Sequence, residues 1–199
     1  MLTVYLLRHG QTAWNAEGNK YCGRTDVPLT QKGVEQARQA REQISNLSFD
    51  RIYASTLQRA YKTAEIVAGD QQVIRDERLI EVDFGWWEGK PKKEFIPERP
   101  SLWKNWMADP AVTQAGGTGE TGQQLIDRVD DFFSDISPQK ADRTVLVVAH
   151  NGVNRLYLAH KLGMPLGNYR KIVQENSTVS MFTLDKEAEI QLHALNNKG

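Results

Sequence analysis

Apolar runs without polar interruption alternate along the chain with stretches whose apolar residues recur every three to four positions. Residues 3–7 (TVYLL) and 144–149 (TVLVVA) are continuous runs, and RIYA at 51–54 is a shorter one. Such runs fit strands buried on both faces of a parallel sheet. Helical spacing appears over 30–44, where Val34, Ala37, the stem of Arg41 and Ile44 share a face, and again over 57–68. Over 123–136 the shared face carries Leu125, Val129, Phe132 and Phe133. A further helix is predicted over 152–162, closed by Gly163 with Pro165 beyond it. Strand-like pieces at 179–184 and 190–194 complete the pattern. The alternation predicts an α/β fold, a three-layer sandwich with a mostly parallel central sheet and helices on both faces.

The pattern breaks between residues 85 and 121. This stretch holds Trp86, Trp87, Trp103 and Trp106, four of the five tryptophans, among several prolines and the run GGTGETG. A long irregular insertion is usually functional or disordered, and its aromatic load argues for order. It reads as a Trp-rich lid on a single domain spanning 1–199, with aromatic packing over the sheet as the alternative. Its apolar residues suit either a site wall or the contact of a homodimer.

Lys and Arg together number 25, as do Asp and Glu, so no overall field draws the molecule to nucleic acid or anionic lipid. Any anion binding must be local. Cys22 is the sole cysteine, which rules out an internal disulfide and fits a reducing compartment. With no basic leader and no apolar run near ~18 residues, a cytoplasmic protein without membrane contacts is expected.

Chemistry enters where the strands end. LLRHGQT stops a core strand on Arg8 and His9, and TVLVVAHNG stops another on His150. In open α/β sheets ligands bind beyond the carboxyl ends of parallel strands. After RIYA, Ser55 stands as a cap for the next helix, with Gln58 in the capping-box position. That places Arg59 in the first helical turn, where a cation opposes the macrodipole unless an anion or a carboxylate such as Glu81 or Asp83 lies near. Two arginines and two histidines around one crevice suit a compact dianion. Glu81, leading into the Trp-rich stretch, is the candidate proton donor, and tryptophan cover would help it hold a proton near neutral pH. There is no HExxH, CxxC or aspartate cluster, so no metal or other cofactor is expected. His160 and His193 read as structural.

Taken together, RHGQTAWN (8–15), GRTDVPLTQKGVEQA (23–37), YASTLQRAYKTAEI (53–66), LIEVDFGWWEG (79–89), GETGQQLIDRV (119–129) and VVAHNGV (147–153) resemble the histidine phosphatase superfamily, in particular its small bacterial phosphatases. The resemblance spans nearly the whole chain. It implies that His9 is the nucleophile, that Arg8, Arg59 and His150 bind the transferred phosphoryl group with His150 best suited as a cation, and that Glu81 is the general acid and base. It further implies a phosphate contact from Asn15 and substrate-side positions for Thr12, Cys22 and Gly23. Two positions depart from the family's commoner residues. Asn151 follows His150 where glycine is frequent, with its backbone N–H a candidate phosphate contact, and Gln11 replaces a glutamate, which slightly favours an anionic substrate. The implied function is metal-independent hydrolysis of a small phosphorylated metabolite through a phosphohistidine, an alpha-ribazole phosphate being one candidate. The alternatives are a cofactor-dependent phosphoglycerate mutase and a non-catalytic phosphate- or phosphoprotein-binding module.

Overall fold

The computed structural model describes residues 1–137 and 141–197. Four strands, β1 (Leu2–Arg8), β2 (Arg51–Ser55), β3 (Val73–Asp76) and β4 (Arg143–Ala149), run parallel. Two more, β5 (Val179–Leu184) and β6 (Ile190–Asn197), join antiparallel, giving the order β3-β2-β4-β1-β5-β6. Among the described residues seven α-helices surround them: α1 (Ala13–Ala16), α2 (Gln31–Gln43), α3 (Gln58–Ala68), α4 (Lys92–Glu98), α5 (Pro100–Ala108), α6 (Gly122–Ile136) and α7 (Asn151–Lys161).

The two-residue period of a strand sorts each apolar run onto two faces. Val145, Val147 and Ala149 join Val4 and Leu6 on one face, where α6 supplies Leu125, Val129, Phe132 and Phe133. Leu146 and Val148 join Leu7, Ile52 and Ala54 on the other, against Ala40, Ala60 and Ala64 of α2 and α3. Small alanines let these two helices lie close to the sheet. The three layers expected from the uninterrupted runs are present.

Three local differences have physical reasons. Helix α3 begins after Leu57, which makes no side-chain cap; Ser55 lies outside it, its Oγ accepting the N–H of Leu57, a residue before the helix, at 3.3 Å. The expected capping role of Ser55 is therefore corrected. Helix α1 was not foreseen, being a single turn made by the Thr12–Asn15 capping box. Residues 85–121 are ordered into α4, α5 and short 3₁₀ turns. Trp87 and Trp106 are fully buried, and Trp87 stacks on Phe95 with ring centroids 5.1 Å apart. Aromatic packing, not helical periodicity, holds this stretch onto the α6 side of the core.

Candidate active site

Strands β1 and β4 are parallel neighbours with Arg8 opposite Ala149, so the next residues, His9 and His150, leave the sheet side by side. The His9 N–H donates to the Ala149 carbonyl at 3.0 Å, and the two imidazole centroids are 5.1 Å apart. His9 Nδ1 lies 2.7 Å from the Gly10 carbonyl oxygen. A carbonyl only accepts, so Nδ1 carries the proton and Nε2 keeps its lone pair. Gly10 is fixed in turn: its N–H donates to Thr63 Oγ1 at 3.0 Å, and the Thr63 hydroxyl donates to the Arg59 carbonyl at 2.7 Å. Burial, then the charges of Arg59 and Arg8, push the His9 pKa well below the usual histidine value. His9 is thus a neutral imidazole at neutral pH.

His150 is fully buried, with Nε2 2.8 Å from the Ser55 hydroxyl. Burial first, then Arg59 and His9, hold its pKa well below the usual value. The expected imidazolium is corrected to a neutral ring. Ser55 therefore serves the second histidine, not the helix.

Arg8 ends β1 with Nη1 donating to the Gln174 carbonyl at 2.8 Å. Burial lowers its pKa to about 10, which leaves it charged at pH 7. Arg59 is fully buried and reaches neither Glu81 nor Asp83. Its guanidinium donates to the carbonyls of Gly23 at 2.6 Å and Thr25 at 2.9 Å. Among the described residues no carboxylate forms an ion pair with it. A desolvated cation held only by neutral acceptors favours an anion beside it.

The Glu81 carboxylate is buried at the amino end of α7. Its Oε2 accepts from the Gly152 N–H at 2.9 Å; Oε1 accepts from Val153 at 2.8 Å and from Val82 at 2.9 Å. The expected tryptophan cover is replaced by three backbone donors, because the 79–84 segment crosses the start of that helix.

A pocket that opens to solvent lies over these strand ends. Arg8, His9, Asn15, Cys22, Glu81 and Asn151 line it. Asn15 Oδ1 is occupied by the Thr12 N–H at 3.0 Å, which leaves its NH2 for the pocket. The Cys22 thiol is pushed up by burial to about 11 and stays protonated. Asn151 is the first residue of α7 and has no positive φ, so glycine is not needed there.

Other expected residues stand behind this wall. Thr12 is fully buried and caps α1. The Gly23 carbonyl holds Arg59 while its N–H donates to Glu88 at 2.9 Å. Gln11 is directed to the start of α2, where its Oε1 meets the Thr30 hydroxyl at 3.2 Å. Its bearing on substrate charge is withdrawn for that reason. Arg59 and His150 do not line the pocket, although the His150 ring lies beside that of His9, and no residue of 85–121 lines it. That stretch packs behind Tyr21 and Arg170 instead, through Trp87 and Trp103.

Sequence reasoning missed the outer wall, made by Lys20, Tyr21, Arg155, Tyr169 and Arg170. Arg155 follows Asn151 by four residues on α7, and that spacing alone could have flagged it. Arg170 sits in a 3₁₀ turn over 166–171 that carries no local signal. Among the described residues no group of three or more His, Cys, Asp or Glu side chains is placed to hold a metal, and no helix is long and apolar enough to cross a membrane.

The family model of the histidine phosphatase superfamily (branch 1) matches residues 4–198. Phosphoserine phosphatase 1 of Hydrogenobacter thermophilus is 30% identical over 194 residues, covering 96% of this chain and 91% of that protein. The adenosylcobalamin/alpha-ribazole phosphatase of Escherichia coli is 33% identical over 168 residues, 82% of this chain and 81% of that one. A crystal structure of phosphoserine phosphatase from Entamoeba histolytica in complex with 3-phosphoglyceric acid superposes with a TM-score of 0.88 at 29% identity, covering 99% and 98% of the two chains. With a paired-histidine strand end matched by a family model over nearly its full length, this chain belongs to the histidine phosphatase superfamily.

Proposed function

We propose that this chain is a phosphomonoesterase that passes the phosphoryl group of a small phosphorylated metabolite first to His9 and then to water. One observation carries the reading: the Gly10 carbonyl, 2.7 Å from Nδ1, fixes the tautomer that leaves a lone pair on Nε2 of His9, a residue lining a pocket with Arg8, Arg155 and Arg170. In the first step Nε2 attacks phosphorus in line, the N–P bond forms and the P–O ester bond breaks. Glu81 gives its proton to the departing oxygen. Oε2, with its single backbone partner, is the oxygen that has a lone pair left to carry it. In the second step water attacks phosphorus, Glu81 takes the water's proton, and inorganic phosphate leaves with His9 restored. Arg8 and Arg59 balance the charge on the equatorial oxygens, and His150 donates to them once phosphate is bound. Catalysis of this kind is positioning plus electrostatics.

The test is hydrolysis of p-nitrophenyl phosphate in the presence of a chelator, comparing wild type with His9→Ala. The reading expects chelator-resistant activity that the substitution abolishes. Unchanged activity in His9→Ala contradicts the phosphohistidine route, and loss with chelator contradicts metal independence. Transfer between isomers of a phosphoglycerate faster than phosphate release would identify a mutase. An inactive wild type that still binds phosphate would identify a binding module.

A further inference from the structure

The transfer chemistry leaves the second glutamate of LIEVDFGWWEG, Glu88, without a role, yet its contacts lead to the fully buried cation of the site, Arg59. Glu88 Oε1 accepts two backbone N–H groups, those of Gly23 and Thr25, both at 2.9 Å. The carbonyls of the same two residues hold the Arg59 guanidinium, Gly23 at 2.6 Å from Nη2 and Thr25 at 2.9 Å from Nη1, with the Cys22 carbonyl farther from Nη2 at 3.4 Å. The 22–25 loop is gripped on its N–H side by a carboxylate and on its C=O side by a guanidinium. Hydrogen bonds in such a chain polarise one another, so the carboxylate makes the loop carbonyls better acceptors for the cation. The peptide unit joining Cys22 to Gly23 carries both ends of the chain, its N–H on Glu88 and its oxygen facing Arg59.

The loop is held at both ends as well. The Tyr21 N–H donates to the Lys90 carbonyl at 3.0 Å and the Gly89 N–H to the Tyr21 carbonyl at 2.8 Å, so the chain entering the loop is paired with the chain leaving Glu88. Beyond the loop, Asp26 Oδ1 accepts the Gln58 N–H at 2.8 Å, and the Asp26 carbonyl accepts from Gln58 Nε2 at 2.8 Å. Asp26 therefore supplies from a distance the acidic cap that α3 lacks locally, and it ties the loop to the turn that carries Arg59. The fit is close at Gly23, where a Cβ would collide with the Val82 carbonyl oxygen and stand 2.5 Å from Glu88 Oε2. Only glycine lets the carboxylate approach this far. Glu88 does not line the pocket, which leaves the loop as its route to the site.

We propose that Glu88 is a positioning residue for Arg59: its carboxylate fixes and polarises the 22–25 carbonyls that orient the guanidinium for the transferred phosphoryl group. The proposal rests on the phosphatase reading for the position of that group. A guanidinium recognises phosphate oxygens through a planar fork, so its orientation matters as much as its charge. Neutral loop carbonyls can set that orientation only if the loop itself is fixed, and Glu88 is the charged group that fixes it.

Calorimetric titration with inorganic phosphate reads the placement of Arg59 without relying on turnover. Glu88→Ala is expected to weaken phosphate binding about tenfold, whereas Glu88→Gln, whose amide oxygen can still accept both N–H groups, should stay within about threefold of wild type. A loss below about threefold in Glu88→Ala, or no recovery in Glu88→Gln, overturns the proposal. Arg59→Lys keeps a charge, so binding stays measurable, but it cannot hold two carbonyls at once. In that background Glu88→Ala should change phosphate affinity by less than about threefold, and a larger loss there shows a general structural role and overturns the proposal. If Arg59→Lys does not fold, the crystal structure of Glu88→Ala decides: an Arg59 guanidinium displaced by about 1 Å supports the proposal and one that stays in place overturns it. If wild type hydrolyses no monoester but phosphate binding still falls in Glu88→Ala and recovers in Glu88→Gln, the phosphatase reading fails and the positioning role stands. If hydrolysis occurs and phosphate binding is untouched by Glu88→Ala, the positioning role fails alone.

Discussion

Replacing Gly152 by alanine tests how Glu81 is held. A Cβ built at Gly152 would stand 2.7 Å from Glu81 Oε1 and 2.8 Å from Val82 Cγ2. Ordinary contact begins near 3.4 Å, so the carboxylate must retreat by roughly 0.7 Å. That movement strains the bonds from Gly152 and Val153, at 2.9 and 2.8 Å. Losing one charge-assisted hydrogen bond costs about 1.5–3 kcal/mol of stability, since the group is buried and not screened. Catalysis responds more selectively. Misplacing a reacting group by ~1 Å costs up to ~10²-fold, and general acid help is worth at least that much. Gly152→Ala should therefore slow phosphoenzyme formation from an alkyl phosphate by about 10- to 100-fold, because an alkoxide needs a proton to leave. From p-nitrophenyl phosphate, whose phenolate departs unaided, the same step should slow by about threefold or less. Rapid-quench single turnovers isolate this step from the later attack of water. Equal losses with both substrates would refute the assignment of Glu81 as proton donor. Full retention with both would refute the claim that the start of α7 positions it.

Two more outcomes follow from the same geometry. Thr63→Val removes the acceptor for the buried Gly10 N–H, whose bond is 3.0 Å, so it should cost about 1–3 kcal/mol in chemical denaturation and lower turnover by loosening His9; unchanged stability would contradict this. His9 and His150 have folded pKa values below their unfolded ones, so the unfolded chain takes up protons first. Their contribution is present above about pH 6.5 and is lost as pH falls toward the folded values, at no more than ~1.4 kcal/mol per pH unit for each histidine. Urea unfolding between pH 7.5 and 5 should show a shallower loss in His150→Gln than in wild type, and parallel losses would refute it.

How far the chain could be read depended on whether each feature was local. TVLVVA announced a strand buried on both faces because every side chain in it is apolar, and its partition into Val145/Val147 and Leu146/Val148 followed. His9 and His150 were legible because each interrupts such a run. Ser55 was misread because its cap-like surroundings are local, whereas its partner His150 is 95 residues away. The charge of His150 was likewise beyond sequence, since it is set by burial and by Arg59. Residues 85–121 lacked a period because α4 and α5 are short and held by aromatic rings. Arg170 reaches the site through a packed turn beside Tyr21, 149 residues earlier in the chain.

The central claim is that phosphorus passes through His9. Alkaline quenching of the enzyme during turnover of a ³²P-labelled monoester, followed by peptide mapping, measures this most directly. The account predicts transient label, acid-labile and alkali-stable, on the peptide carrying His9, and none in His9→Ala. Label on another residue, or turnover in which no labelled enzyme forms on the timescale of a single cycle, would contradict it.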